Sequence, residues 1–319
     1  MTFFRVSLIF LLLAASGCRR EPAPVVGENL RVDGARALAL TGQFVALGPK
    51  PAGSPAGLQA AAWIAAHCRE LGGAAVQVEM DAWDGPTPLG RRSFRNVLAR
   101  LPGTDSKPRI LIAAHFDTKS LLASPEFAGA NDSGSGVGLL LELLRVLAAA
   151  PDRTGPTLEF AFFDGEECQV DYGPSDGLHG SRRLAGHIAA EKRAAQYRAM
   201  ILLDMIGDRN LGLALPADTP PALLRLLRAV AERRGTADRI GLRTTVMLDD
   251  HVPFQELGIP AIDLIDFDYG PGNSWWHTNE DTLDKLSAPS LQITGDLVLG
   301  LLSELRRGPL PAPDKDSVP

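Results

Sequence analysis

Histidines and carboxylates stand where several apolar runs of this chain end. Residues 158–163 (LEFAFF) lead into Asp164, Glu166 and Glu167. Residues 109–114 (RILIAA) lead into His115 and Asp117, and residues 199–203 (AMILL) lead into Asp204. The loop behind residues 259–267 (IPAIDLIDF) reaches Trp276 and His277, and Asp132 lies in a glycine- and serine-rich loop at a helix start. Each has an ordinary explanation when taken alone. An aspartate after a strand commonly shapes a turn, Asp132 suits a helix N-cap, and a lone histidine is usually a satisfied structural group. Their joint placement suggests more. Imidazole nitrogen and carboxylate oxygen are suitable zinc ligands, and a site that does chemistry keeps a position open for water or substrate. Glu166 and Glu167 cannot point the same way from a regular strand, so the pair is expected at a strand's end, where the backbone turns.

The elements that must position these groups are legible from periodicity. Residues 34–47 read as a helix. Leu58, Ala61, Ala62, Ala65, Cys68 and Leu71 recur at helical spacing, with Gly72 where a C-cap belongs. Residues 74–80 and 93–103 alternate like strands, closed by a Pro102-Gly103 turn. The runs beginning at Arg109, Thr157, Ala199 and Ile259 are short and apolar almost throughout, as expected of strands buried on both faces. Between and after them lie helical segments: a stripe of Val137, Leu140, Leu141, Leu144 and Leu147, then residues 181–190, 221–234, 253–257 and 289–306. Alternating strands and helices predict an α/β fold, a three-layer sandwich with a mostly parallel, mixed central sheet. In such sheets ligands bind beyond the carboxyl ends of the strands, where the chemical residues fall.

The 319-residue chain is 45% hydrophobic with a net charge of -6, an ordinary globular composition that argues against nucleic acid as its main partner. Behind Arg5 an apolar run of about a dozen residues ends in Ala15, Ser16, Gly17 and Cys18, too short to span a bilayer and suited to a signal-peptide core. Residues 1–17 are therefore expected to be a lipoprotein signal, with Cys18 lipidated and the mature protein exported and membrane-anchored. Residues 18–33 read as a tether, 34–308 as one catalytic domain and 309–319 as a disordered tail. Cys68 and Cys168 are expected as separate buried thiols, and the chain as a monomer.

The segments AAHFDTK, GANDSGSGVG, FFDGEE, LLDMIGD and WWHTNEDTLDKL resemble, in order, the motifs of metallopeptidase family 28, the zinc aminopeptidases and related glutaminyl-peptide cyclotransferases. The resemblance runs from about residue 48 to residue 302. FFDGEE, SDGLHGSRRLA and DDHVPF are most similar to the cyclotransferase branch. It implies that Asp132, Glu167 and His277 bind zinc. In aminopeptidase-type sites Asp132 would bridge two ions, with His115 and Asp204 completing the second. Glu166 would be the general acid/base, Asp204 and Asp249 hydrogen-bond partners in the active site, and Trp276 part of the pocket wall, where Trp275 is also expected. The pocket departs from the animal cyclotransferases: Asp263 replaces a histidine, Tyr172 a tryptophan, and the loop before Trp276 is longer.

The resemblance implies one of two reactions. In cyclisation of an N-terminal glutamine to pyroglutamate, Glu166 moves a proton from the α-amine to departing ammonia, and one zinc ion suffices. In removal of an N-terminal residue, Glu166 is the base for water and a second zinc helps. Peptide N-termini are the expected substrate of both. A binding lipoprotein on a retired enzyme fold would have lost a ligand or Glu166; all are present. GPSDG (173–177) fits G-x-S-x-G but lies beyond the strand's end and carries Pro174 before the serine, so it reads as a loop.

Overall fold

The computed structural model describes residues 30–310. The expected signal segment, Cys18 and most of the expected tether and tail lie outside the described residues. Leu30 to Asp33, placed in the tether from sequence, belong to the packed body. Val32 is buried and its N–H meets Asp296 Oδ1 at 3.3 Å.

Asp33 caps helix α1 (Gly34–Val45), its carboxylate accepting from the N–H groups of Ala35 and Arg36. Helix α2 (Pro55–Gly72) starts with Ser54 accepting from Gly57 N–H and proline in the first turn, both strong start signals. Strands β1 (Gln77–Thr87) and β2 (Gly90–Leu101) form a long antiparallel hairpin. Then come β3 (Asp105–His115), α3 (Gly136–Ala149), β4 (Pro156–Phe163), α4 (His179–Ala190), β5 (Tyr197–Asp204), β6 (Leu213–Leu215), α5 (Pro221–Arg234), β7 (Ile240–Leu242), α6 (Val252–Glu256), β8 (Ala261–Ile265) and α7 (Ala288–Arg307).

The main sheet has the order β1-β2-β4-β3-β5-β8. Strands β4, β3, β5 and β8 are parallel, and the β1–β2 hairpin joins antiparallel through β2. The expected α/β sandwich is therefore the observed one. Strand alternation sorts the two cores. Ile110, Ile112, Ala114, Ile201 and Leu203 face a core shared with α1, α2, α3, α5 and α7. Leu111, Ala113, Met200 and Leu202 face a second core shared with α4 and α6. With side chains buried on both faces, these strands have no polar side to alternate with.

The hairpin runs further than the alternation predicts, through Asp84 and Pro86. Among the described residues β1 pairs only with β2, and an outer strand tolerates proline where a central one does not. The small β6–β7 sheet went unpredicted because three-residue strands carry too little periodicity.

A candidate metal centre at the carboxyl ends of the parallel strands

The chain runs from β3 to a neighbour on one side, β4, and then to β5 on the other. This reversal opens a crevice at the carboxyl end of β3, the usual ligand position in such sheets. His115 is the last residue of β3 and Asp204 the last of β5. His115 Nε2 lies 3.4 Å from Asp204 Oδ1 and 3.1 Å from Asp132 Oδ1.

Asp132 is brought in by the turn ahead of α3. Gly129 has φ +62°, and a Cβ there would stand 1.9 Å from the Asp132 carbonyl oxygen, so only glycine fits. Asp281 clamps the turn from across the molecule, accepting from Asn131 N–H at 2.7 Å and Asp132 N–H at 3.1 Å, and Tyr269 OH donates to it at 2.7 Å.

Beyond β4, Gly165 turns the chain with φ +75°, against the Phe94 ring. The backbone N–H groups of Glu166 and Glu167 then both donate to Asp117, at 3.0 and 3.3 Å. That turn separates the neighbouring glutamates, as their adjacency requires. Glu166 Oε1 accepts from Tyr172 OH at 2.9 Å. Glu167 Oε1 lies 2.9 Å from His277 Nε2, and its Oε2 lies 3.3 Å from Lys119 Nζ. His277 Nε2 is also 3.2 Å from Asp132 Oδ2. Asp164 is fully buried and accepts from Arg95 N–H at 2.8 Å, tying the turn to β2.

Two groups of metal-capable side chains result, His115–Asp132–Asp204 and Asp132–Glu167–His277, each with ligand atoms within 4.8 Å of one another and sharing Asp132. His115 Nδ1 and Asp204 Oδ1 are buried without a hydrogen-bond partner, and Glu167 Oε2 is met only by Lys119 Nζ. Buried acids in contact shift one another. Burial, then the Glu167 charge, raises the Glu166 carboxyl well above its usual range. Burial lifts Asp204 to about 7, against the pull of His115. His277 is raised to about 10: burial opposes this, but Asp132 and Glu167 prevail.

The pocket residues divide. Trp276 stacks on the His277 ring at 4.0 Å, and Tyr172 OH reaches Glu166. Trp275 is engaged elsewhere, edge-on to Tyr269 at 5.4 Å and beneath Lys285 Nζ. Asp263 is a buried β8 residue beside His251 and Asp249, on the face that α6 covers. His277 has φ +55°, a strained value for a non-glycine residue of the kind that concentrates at functional sites. Sequence reasoning assigned no role to Asp117, Lys119, His251 or Asp281. Lys119 stands inside the AAHFDTK segment, where its closeness to His115 was the one available signal. Cys68 and Cys168 are free and buried, and Lys119 Nζ donates to Cys168 Sγ at 3.0 Å.

Residues 96–302 match the profile described as Peptidase family M28. The chain belongs to this family. A bovine glutaminyl-peptide cyclotransferase-like protein is 31% identical over 277 residues, 79% of this chain and 71% of that protein. A glutaminyl-peptide cyclotransferase from Bothrops jararaca is 32% identical over 67% of this chain and 66% of its own length. Among solved structures, glutaminyl cyclase from an Acidobacteriales bacterium superposes with a TM-score of 0.82 at 35% identity, covering 93% of this chain and all of that one. The Porphyromonas gingivalis glutaminyl cyclase gives 0.75 at 28% identity, over 86% of this chain and 99% of that one.

Proposed function

We propose that the protein is a glutaminyl-peptide cyclotransferase that converts N-terminal glutamine to pyroglutamate and releases ammonia. One observation carries this reading: the 35% identity and 0.82 TM-score to a glutaminyl cyclase along that structure's full length. Asp132, Glu167 and His277 would hold a zinc ion; one imidazole and two buried carboxylates suit it. Bound there, zinc supplies Lewis acidity toward the glutamine side-chain carboxamide.

The remaining work falls to the chain. The substrate α-amine attacks the side-chain carboxamide carbon, forming the ring C–N bond. Glu166 takes a proton from that amine and delivers it to the leaving nitrogen as the old C–N bond breaks and ammonia departs. Its raised proton affinity suits a group that must accept a proton and then return it. Tyr172 OH holds Oε1, which fixes the carboxylate's orientation. Asp204 and Asp249 are hydrogen-bond partners around the reacting groups, and Trp276 forms pocket wall beside His277.

A second reading, hydrolytic removal of N-terminal residues, is favoured by one observation: the His115–Asp132–Asp204 group is complete, so two ions have ligands. Glu166 would then take its proton from water. The test is a paired assay on one zinc-quantified preparation, with an N-terminal glutaminyl amide scored for pyroglutamate and ammonia and an unblocked leucyl amide scored for hydrolysis. Cyclisation without hydrolysis is expected; hydrolysis alone overturns the first reading.

We also propose export of a monomeric enzyme lipid-anchored at Cys18, on the strength of the apolar run and small residues before that cysteine. No helix among the described residues is long and apolar enough to cross a membrane. Metabolic labelling with a radioactive fatty acid should mark the wild-type chain and not Cys18→Ala.

A further inference from the structure

A cleft of about 380 Å³ lies between α4 and the sheet, away from the zinc centre. Its floor includes Arg100 of β2, Arg109 of β3 and Glu159 of β4, and its wall runs along α4 from Leu184 to Arg193 just beyond the helix. Arg109 pairs across the ladder with Tyr197, the first residue of β5, whereas His115 and Asp204 close their strands. The cleft and the centre therefore lie toward opposite ends of the parallel strands, and no residue belongs to both. The volume falls within the range of small-molecule pockets.

The charges of this cleft are unevenly shared. Arg100 and Arg109 meet the same carboxylate oxygen, Glu159 Oε1. The other oxygen, Oε2, accepts from Tyr197 OH at 2.6 Å. Arg193 pairs with Glu191 and donates to Tyr197 OH at 3.1 Å. Of the remaining acids in the wall, Asp81 is taken by Arg183 at 3.0 and 3.1 Å, and Glu79 is exposed on β1. One of the two arginines on Glu159 thus has no acid of its own. Arg109 is only 17% exposed and is held through Nη1, its Nε being buried without a hydrogen-bond partner. A guanidinium presents its donors as a planar fork that matches the oxygens of a carboxylate or phosphate. The rest of the wall is apolar. Leu111 and Leu184 come from the second core, and Leu98 packs against it.

We propose that this cleft binds a small organic anion, a carboxylate or phosphate head on an apolar body. Arg100, Arg109 and Arg193 receive the head, and Leu98, Leu111 and Leu184 receive the body. The site is independent of the cyclisation reading, since it shares no residue with the zinc centre.

The test is calorimetric titration of the zinc-loaded protein with benzoate, phenyl phosphate and inorganic phosphate. The first two separate the head groups, and the third removes the apolar body. Wild type should bind at least one of the aromatic anions with a Kd at or below about 1 mM, and more tightly than inorganic phosphate. The double variant Arg100→Gln/Arg193→Gln should weaken that binding by about tenfold or more, with zinc content and turnover as in wild type. His277→Ala, which disturbs the zinc centre, should leave the binding unchanged. Circular dichroism confirms the fold of each variant. Should the double variant fail to fold, Arg100→Gln alone, at a side chain 46% exposed, carries the same comparison. No saturable binding of either aromatic anion by about 1 mM would overturn the proposal. Equal affinity for inorganic phosphate would also overturn it, because the apolar wall would then play no part. Binding lost in His277→Ala but kept in the arginine variants would place the anion on the zinc and reject this site. Failure of the paired substrate assay would reject cyclisation and leave this titration as it stands.

Discussion

Strand β4 carries one partly buried acid within it and leads to two buried acids just beyond its end, and the two places are treated differently. Within β4, Glu159 is held by the protein's own cations and donors. Arg109 pairs with Oε1, Arg100 Nε lies 3.3 Å from it, and Tyr197 OH donates to Oε2 at 2.6 Å. Beyond the end of the same strand, Glu166 and Glu167 meet a tyrosine hydroxyl, a histidine and a lysine, among further acids. An acid that its own chain neutralises is a structural part. Acids gathered around imidazoles, with donor atoms left over, form a place for something that is not protein.

The contrast predicts where substitution should hurt activity and where stability. The largest effect is expected for Glu166→Gln: kcat should fall about 10²- to 10⁴-fold with zinc content unchanged. Retained turnover in the zinc-loaded variant would remove Glu166 from proton transfer. Next, His277→Ala should weaken zinc binding by more than the roughly 10- to 100-fold typical of losing an outer partner, read by chelator competition. Within the strand, Glu159→Gln should leave kcat unchanged and cost about 1–3 kcal/mol of stability, because Arg109 loses its charged acceptor. A kcat defect there would break the contrast.

A smaller effect concerns pH. Burial lifts Asp204 and Asp281 from ordinary values near 3.8 to about 7 in the folded chain. The stability they contribute is full below about pH 4 and is lost as pH rises through 7. Zinc binding favours the ionised carboxylates and should oppose that loss. The rise in melting temperature on zinc loading should therefore be greater at pH 8 than at pH 5, measured on chelator-stripped and reloaded protein. A rise that shrinks with pH would contradict the assignment. The smallest effect is Tyr172→Phe, which removes one hydrogen bond to Glu166 and should lower kcat about fivefold, equivalent to about 1 kcal/mol.

Much of the fold was legible because buried parallel strands are continuous apolar runs, and His115, Asp204 and the paired glutamates stand out as the polar residues at the ends of those runs. The supports were not legible. Asp281 acts on Asn131 and Asp132 from 150 and 149 positions away, and Asp117 acts on Glu166 and Glu167 from 49 and 50 away. An aspartate that accepts backbone N–H groups looks in sequence like any turn aspartate. Asp263 was expected at the pocket as the replacement for a histidine of the animal cyclotransferases, and only the packing of α6 over β8 reveals that it is buried beside His251.

The sequence by itself determined the parallel strands of the main sheet, the family and the chemical types gathered at one edge of the sheet, because hydrophobic period and residue chemistry are local properties. Tertiary structure alone decided how near Asp132 stands to both His115 and His277, which partners Glu166 and Glu167 each meet, and that Asp263 is buried beside His251. Those outcomes depend on contacts between segments far apart in the chain, set by how the sheet reverses at β3 and how each turn is clamped from across the fold.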